Sequence, residues 1–285
     1  MDFALMFDCQ HMQEGLLCMA SIQDRSPASK VYVLCLQDTV GTAVVKQGGI
    51  PVDRSAIEAM YPQIAETLKT GRPWAPYTQS LKPFLLEYLF LKHRAQVVTY
   101  VDSDMYFWGD PQEIDREFAE HSFMVTPFSQ RINLCHFSGA CFACRNDEKG
   151  KALLRWWQDR CVEWCLWQPG PNGEFGEEGY LNIIRSDPTK FQGTHVCEHP
   201  GINLSPWRLQ FCDIQKSDVG LSVNGYPLVC FHYQGYNKVS EEYEAPEGLS
   251  PEASELLYWP YHLMLPMPGP LVPINVHFED REPQG

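Results

Sequence analysis

The chain has no block of clustered lysine or arginine. Its 22 basic residues are scattered among 36 acidic ones, for a net charge of −14, which excludes a protein that grips nucleic-acid phosphates through a basic face. It also lacks any run of the ~20 continuous apolar residues that a membrane span requires, so no transmembrane segment is expected. The N-terminus, MDFALMFDCQHMQEG, has neither the basic start nor the unbroken apolar stretch of a secretory signal, and a cytoplasmic location is expected. Internal repeats are absent. Apolar residues are not scarce: at 44% hydrophobic and 20% charged, the chain can bury a sizeable core and is not disordered over most of its length. The expected organisation is one principal domain over 1–240, followed by an acidic and proline-rich extension over 241–285.

Eleven cysteines, an odd number spread over the whole length, fit reduced thiols better than a disulfide framework. Cys141 and Cys144 make a C-x-x-C, and Cys161 with Cys165 a C-x-x-x-C, close to a zinc-ribbon spacing. However, GACFACR reads as an apolar strand that sends Cys141 and Cys144 to opposite faces. Cys161 and Cys165 fall on the apolar stripe of a helix. The expectation is buried thiols packing as small hydrophobes rather than a zinc site.

Strand-like runs alternate with helical ones. FALMF and KVYVLCL flank a helical stretch around MQEGLLCMASI, a βαβ rhythm. RSAIEAMYPQIAETLKTG predicts a helix interrupted at Pro62 and closed by Gly71, and GRPWAPYTQS a loop. SLKPFLLEYLFLKHR predicts a helix with Ser80 as N-cap and Pro83 in its first turn. QVVTYV, SFMVTPF and GACFACR read as strands. NDEKGKALLRWWQDRCVEWCLW is the strongest helix, capped by Asn146 or Asp147, with its tryptophans as core or interface anchors. YLNIIRS starts a further helix. The last thirty residues carry six prolines, show no helical period, and are apolar enough to pack on the domain or on a partner. The whole predicts an α/β fold with a sheet covered on both faces, in which ligands collect at the C-terminal strand ends.

One such end is YVDSDMYFWGDP. Asp102 and Asp104 sit one residue apart directly after QVVTYV. Taken alone, the pair reads equally as a capped turn or as hard oxygen ligands for a divalent cation that neutralises a diphosphate. Asp110, ahead of Pro111, reads as an ordinary turn residue.

The stretch LKPFLLEYLF…VVTYVDSDMYFWGDPQEI resembles the donor-binding half of GT-A nucleotide-sugar glycosyltransferases. CRNDEKGKALLRWWQDRCVEWC, GEFGEEGYLN, HPGINLSPWRL and NGYPLVCFHYQGYNKV then follow in the order seen in bacterial family-eight-like glycosyltransferases, so that the resemblance covers roughly residues 3 to 240. FHYQGYNK matches the H-x-x-G-x-x-K of that family at His232, Gly235 and Lys238. The resemblance implies a GT-A, Rossmann-like, mainly parallel sheet with helices on both faces. It implies Asp102, Asp104 and His232 as ligands of Mn2+ or Mg2+, a mixed oxygen and imidazole set that suits manganese. It implies donor contacts from Asp8, Lys82, Ser103, Gly235 and Lys238, the glycine allowing close backbone approach to the diphosphate. The implied partners are a nucleotide-sugar donor, UDP-linked, and a glycan or other hydroxyl acceptor, with retention of anomeric configuration. A homo-oligomer or protein contact through the C-terminal segment is the further expectation.

Two departures stand out. Family members often read F-N-x-G where this chain has HFSG, so Phe137 replaces an asparagine amide. They read D-Q-x-x-L-N where this chain has EEGYLN, which puts Glu177 and Glu178 on the aspartate and glutamine positions. The matched position of Glu178 lies close to the reacting carbon, where a carboxylate could stabilise positive charge or attack. The alternative is a non-catalytic module that binds a nucleotide sugar or a protein. A nucleotidyltransferase is disfavoured because FDCQHMQEG is not a glycine-rich phosphate loop.

Overall fold

The computed structural model describes residues 1–132, 135–170, 173–236 and 251–265. Strand Asp2–Phe7 (β1) is followed by helix Met12–Arg25 and strand Val31–Cys35 (β2), then helix Asp38–Lys46 and strand Ile50–Asp53 (β3). After four helices come strand Val97–Val101 (β4) and the short Met105–Phe107 (β5). The long strands Phe123–Ile132 (β6) and Cys135–Arg145 (β7) follow, and Thr194–Val196 (β8) completes a seven-stranded sheet of order β3-β2-β1-β4-β7-β6-β8. β7 alone runs against its neighbours; β1 pairs in parallel with β2 and β4, and β6 with β8. The mainly parallel α/β architecture is the expected one.

Continuous apolar runs form these strands because both faces are covered. On β1, Phe3, Leu5 and Phe7 enter one core cluster, and Ala4 and Met6 enter the other. β7 divides likewise: Cys141 faces the second cluster and Cys144 the first. All eleven cysteines are free thiols, nine of them buried, and among the described residues none belongs to a group able to hold a metal. The helix Glu148–Glu163 is capped by Asp147, whose carboxylate accepts from the Gly150 amide at 2.7 Å. Its Trp157 is fully buried against Phe123 and Phe142.

Several local expectations need correcting. The stretch read as a loop contains helix Trp74–Ser80, with Pro73 ahead of it and Pro76 in its first turn, where a missing N–H costs nothing. That helix runs almost directly into Lys82–Lys92, so Leu81 rather than Ser80 is the N-cap; the Ser80 hydroxyl instead donates back to the Tyr77 carbonyl. Cys165 lies beyond the end of its helix, although it is buried. The C-terminal stretch read as lacking a helical period is helical over 251–264, with a π-turn at Ser254–Tyr258 ahead of Trp259–Met264. Pro260, which has no N–H to give, interrupts the regular ladder there. This segment buries Leu257, Tyr258, Tyr261 and Leu265 in a third cluster with Tyr106, Phe231 and Tyr233, so its described part packs on the domain. No described helix is long and apolar enough to cross a membrane.

The remaining strands are Ile214–Ser217 (β9), Gly220–Val223 (β10) and Tyr226–Pro227 (β11), an antiparallel trio, and Cys230–His232 (β12), which pairs with β5.

Candidate functional site

Strand order reverses at β1, which has β2 on one side and β4 on the other, so the carboxyl ends of β1 and β4 flank a crevice of the kind that receives ligands in such sheets. Asp8 follows the first of these ends and Asp102 the second. The Asp102 amide still donates to Ala140 at 2.9 Å, one step beyond the β4 ladder, and the chain then turns tightly, the Met105 amide donating to the Asp102 carbonyl at 3.3 Å. Ser103 is the half-buried middle of that turn. The turn aims both carboxylates into the crevice and starts β5.

β5 recruits the distant partner. Met105 pairs with His232 in the antiparallel β5–β12 ribbon, and the Tyr233 amide donates to the Asp104 carbonyl at 2.9 Å. His232 Nε2 therefore lies 3.1 Å from Asp104 Oδ1. Ligand atoms of Asp102, Asp104 and His232 all fall within 4.8 Å of one another. Burial would lower the His232 pKa, but the Asp104 carboxylate outweighs it and raises it. Burial likewise opposes ionisation of Asp104, and the imidazole reverses that to a lowered value. Asp102 is raised, by burial, with Lys82 pulling against it.

Behind the acidic pair sits a second cluster. Lys82 is 1% exposed, and its ammonium reaches Glu177 Oε1 at 2.8 Å, the Gly139 carbonyl at 3.0 Å and Asp102 Oδ1 at 3.2 Å. Gly139 and Glu177 accept hydrogen bonds from the ammonium and Asp102 forms an ion pair with it, so Lys82 addresses the crevice through Asp102. Glu178 Oε1 accepts from the Gly139 amide at 2.7 Å. Glu178 is half-buried, and its carboxyl is pushed up to about 7 by burial and then by the charge of Glu177. Trp157 Nε1 donates to the Glu177 carbonyl at 3.1 Å and fixes the loop that carries both glutamates.

The expected residues are thus brought together with three exceptions. Asp8 stands at the crevice, but its Oδ1 caps its own turn, accepting from the Gln10 and His11 amides and pairing with His11 Nδ1 at 2.9 Å. Gly235 is exposed on a turn at φ +76°, a conformation that favours glycine. Lys238 lies outside the described residues.

Two contributors were not foreseen. Tyr100 donates to Asp102 Oδ1 at 2.9 Å; its place in a strand, pointing along the same face as Asp102, was the available signal. Gly139 offers both its amide and its carbonyl to the cluster, and a Cβ there would stand 2.8 Å from Glu177 Oε1 and 3.0 Å from Glu178 Cγ. It belongs to the HFSG motif, where attention falls on Phe137; that ring packs against the first core cluster. A cavity of about 710 Å3 opens elsewhere, beside Arg72, Trp164 and Trp167. The Arg72 guanidinium there is already engaged with the Cys161 and Val162 carbonyls, whereas the charged side chains converge at the crevice.

The architecture is shared with solved glycosyltransferases. The galactosyltransferase LgtC, determined with donor and acceptor sugar analogues, superposes with a TM-score of 0.57 at 14% identity over 94% of this chain and 98% of that one. GlyE of Streptococcus pneumoniae TIGR4 gives 0.57 at 14% identity over 92% of this chain, which spans 60% of the GlyE chain.

The fold is GT-A.

At such identities the likeness carries the GT-A fold and no more. In sequence, the uncharacterized protein YfnF of Bacillus subtilis strain 168 is 24% identical over 255 residues, 81% of this chain and 82% of YfnF. No protein-family model matches the chain. On the GT-A frame, the described elements that carry Asp102, Asp104 and His232 are the end of β4, the turn into β5, and β12.

Proposed function

We propose that the chain is a glycosyltransferase that moves a sugar from a nucleotide-diphosphate donor, UDP-linked, to an acceptor hydroxyl, with the help of a divalent cation. The observation that carries this reading is the convergence of Asp102, Asp104 and His232 within 4.8 Å at the strand-order reversal of a GT-A sheet. Their chemistry fits Mn2+ or Mg2+: octahedral ligands held at about 2.0–2.1 Å stand about 3 Å apart, and His232 Nε2 and Asp104 Oδ1 are 3.1 Å apart already. Asp102 Oδ1 is taken by Lys82 and Tyr100, which leaves Oδ2 for a cation. His232 Nδ1 is buried without a hydrogen-bond partner among the described residues. Ligating histidines usually have such a partner behind them, so the protein alone should hold the ion weakly and more firmly once donor is bound. The cation would neutralise the diphosphate as it leaves.

The chain's own groups divide the remaining work. The exposed glycine turn at Gly235 lets backbone approach the diphosphate, and Lys238 adds positive charge to it. Lys82 holds Asp102 and Glu177 in place. Glu178, fixed by the Gly139 amide, presents its carboxylate toward the reacting sugar carbon, where it stabilises developing positive charge or attacks from the face opposite the leaving group. In the second role the carboxylate forms a glycosyl ester as the nucleoside diphosphate leaves, and the acceptor oxygen then displaces that carboxylate with loss of its proton, so that two inversions give net retention; charge stabilisation alone does not set the stereochemistry.

The deciding experiment is donor hydrolysis and transfer over a panel of UDP-sugars with manganese added or removed by chelation. Turnover that requires the ion and falls at least a hundredfold in Asp104→Asn supports the proposal. No donor turned over or bound by the wild type, or an Asp104→Asn protein as active as the parent, sinks it.

A further inference from the structure

His232 stands on a three-residue strand, too short to hold an imbalance of charge in place by its own ladder. What fixes it comes from both flanks. Its amide donates to the Leu204 carbonyl at 2.8 Å, and the next amide, of Tyr233, donates to the Asp104 carbonyl at 2.9 Å. The neighbours Phe231 and Tyr233 point away from the crevice into the third core cluster, whose opposite wall is the C-terminal helical segment. Tyr233 lies face to face with Tyr261, ring centroids 3.6 Å apart and planes 4° from parallel. Its hydroxyl donates to the Leu257 carbonyl at 3.0 Å and accepts from Trp108 Nε1 at 3.1 Å. Phe231 and Tyr233 each meet Tyr258 edge-on, at 5.7 and 5.5 Å. Tyr261 also reaches Tyr106 on β5, at 6.3 Å. Both strands of the ribbon that joins Asp104 to His232 are therefore seated on one aromatic surface.

We propose that the C-terminal helical segment 251–265 is a working part of the donor site, with Tyr261 as a positioning residue that sets His232 and Asp104 through Tyr233. The proposal rests on the reading of Asp102, Asp104 and His232 as the donor-site ligands, and it deepens that reading. The ring carries the effect and the hydroxyl does not: Tyr261 is fully buried, and its hydroxyl has no hydrogen-bond partner among the described residues. Removing an unpartnered buried hydroxyl is neutral or stabilising, whereas losing the stacked ring opens the wall behind His232. A metal ligand depends on the groups that orient it, and disturbing them costs on the order of 10- to 100-fold in metal affinity.

Two measurements test this on the full-length chain. In metal-free wild-type protein, native-state hydrogen exchange at rising urea should show the His232 and Tyr233 amides opening as one unit with the Leu265 amide, which is bonded to the Tyr261 carbonyl at 3.1 Å. Free exchange at Leu265 while residues 232 and 233 stay protected overturns the proposal, with no variant or metal involved. Manganese binding, followed by EPR in the presence of UDP, should weaken at least tenfold in Tyr261→Leu and stay at the wild-type level in Tyr261→Phe. Equal affinity for wild type and Tyr261→Leu, or a Tyr261→Phe protein as impaired as Tyr261→Leu, overturns it too. A wild-type protein that binds no manganese removes the metal from the proposed function, and the exchange result still decides whether Tyr261 braces His232.

Discussion

Lys82→Met is the most informative single change. The side chain is of similar length and removes only the charge from a site where the side chains of Lys82 and Glu177 are 2% and 5% exposed and that of Asp102 is 24% exposed. Burial works against the ammonium, yet the carboxylates of Asp102 and Glu177 outweigh it and raise its pKa well above the usual lysine value, so Lys82 is charged at neutral pH. Removing one partner of a buried pair leaves an uncompensated charge, at a cost of about 3–5 kcal/mol. Asp102 is open enough to be screened by solvent, so most of that cost belongs to Glu177. In a chain of this size it corresponds to a fall in Tm of about 5–8 °C at pH 8. The loss must shrink on acidification. Burial already holds the Asp102 carboxyl above its usual value against the pull of Lys82, so without the ammonium the native variant binds extra protons between the unfolded and folded values, and its stability rises as pH falls through that window. Thermal and urea melts of both proteins at pH 8 and pH 5.5 measure the effect, and Lys82→Met/Glu177→Gln should recover part of it. A Tm change under 2 °C at pH 8, or the same loss at both pH values, refutes the argument that Lys82 neutralises a buried acid.

Three further outcomes follow from the site and the core. Because the Glu178 carboxyl titrates at about 7 when folded and near 4.5 when not, its contribution to stability falls as pH rises from about 4.5 to 7; Glu178→Gln should be the more stable protein at pH 8, and should lose the limb near pH 7 from the pH profile of donor turnover. Gly139→Ala places a methyl group 2.8 Å from Glu177 Oε1 and should cost about 1–3 kcal/mol by overpacking, with donor turnover reduced more than melting implies. Thiol titration of the native protein should count only Cys9 and Cys212, the two partly exposed cysteines, and all eleven after denaturation; additional fast-reacting thiols contradict the packing of Cys141, Cys144, Cys161 and Cys165 as core.

Sheet strands and the main helices were legible because buried parallel strands need unbroken apolar runs and Glu148–Glu163 keeps a clean helical stripe. The acidic pair was legible as a strand end, and its pairing with His232 through the family motif, since nothing local in FHYQGYNK names its partner. The helix Trp74–Ser80 was hidden by prolines that are breakers in most positions and harmless in a first turn. Helicity at 251–264 was hidden because Pro260 and the π-turn erase the 3.6-residue period. Gly139 and Tyr100 escaped for a different reason: a glycine whose value is the room it leaves, and a strand tyrosine whose hydroxyl finds its acceptor two residues on, are defined by three-dimensional neighbours and leave no pattern in one dimension.

The ribbon of β5 and β12 has a consequence for how the protein comes into being. Asp102 and Asp104 leave the ribosome with the sheet's centre, whereas His232 and the aromatic wall behind it emerge after every strand of the seven-stranded sheet. A nascent chain can assemble β1 to β4 and bury much of its core with the acidic pair still lacking its third member. The Asp102, Asp104 and His232 cluster is therefore completed only after the sheet, and a chain cut before the 251–265 segment should remain a folded sheet with an unfinished mouth.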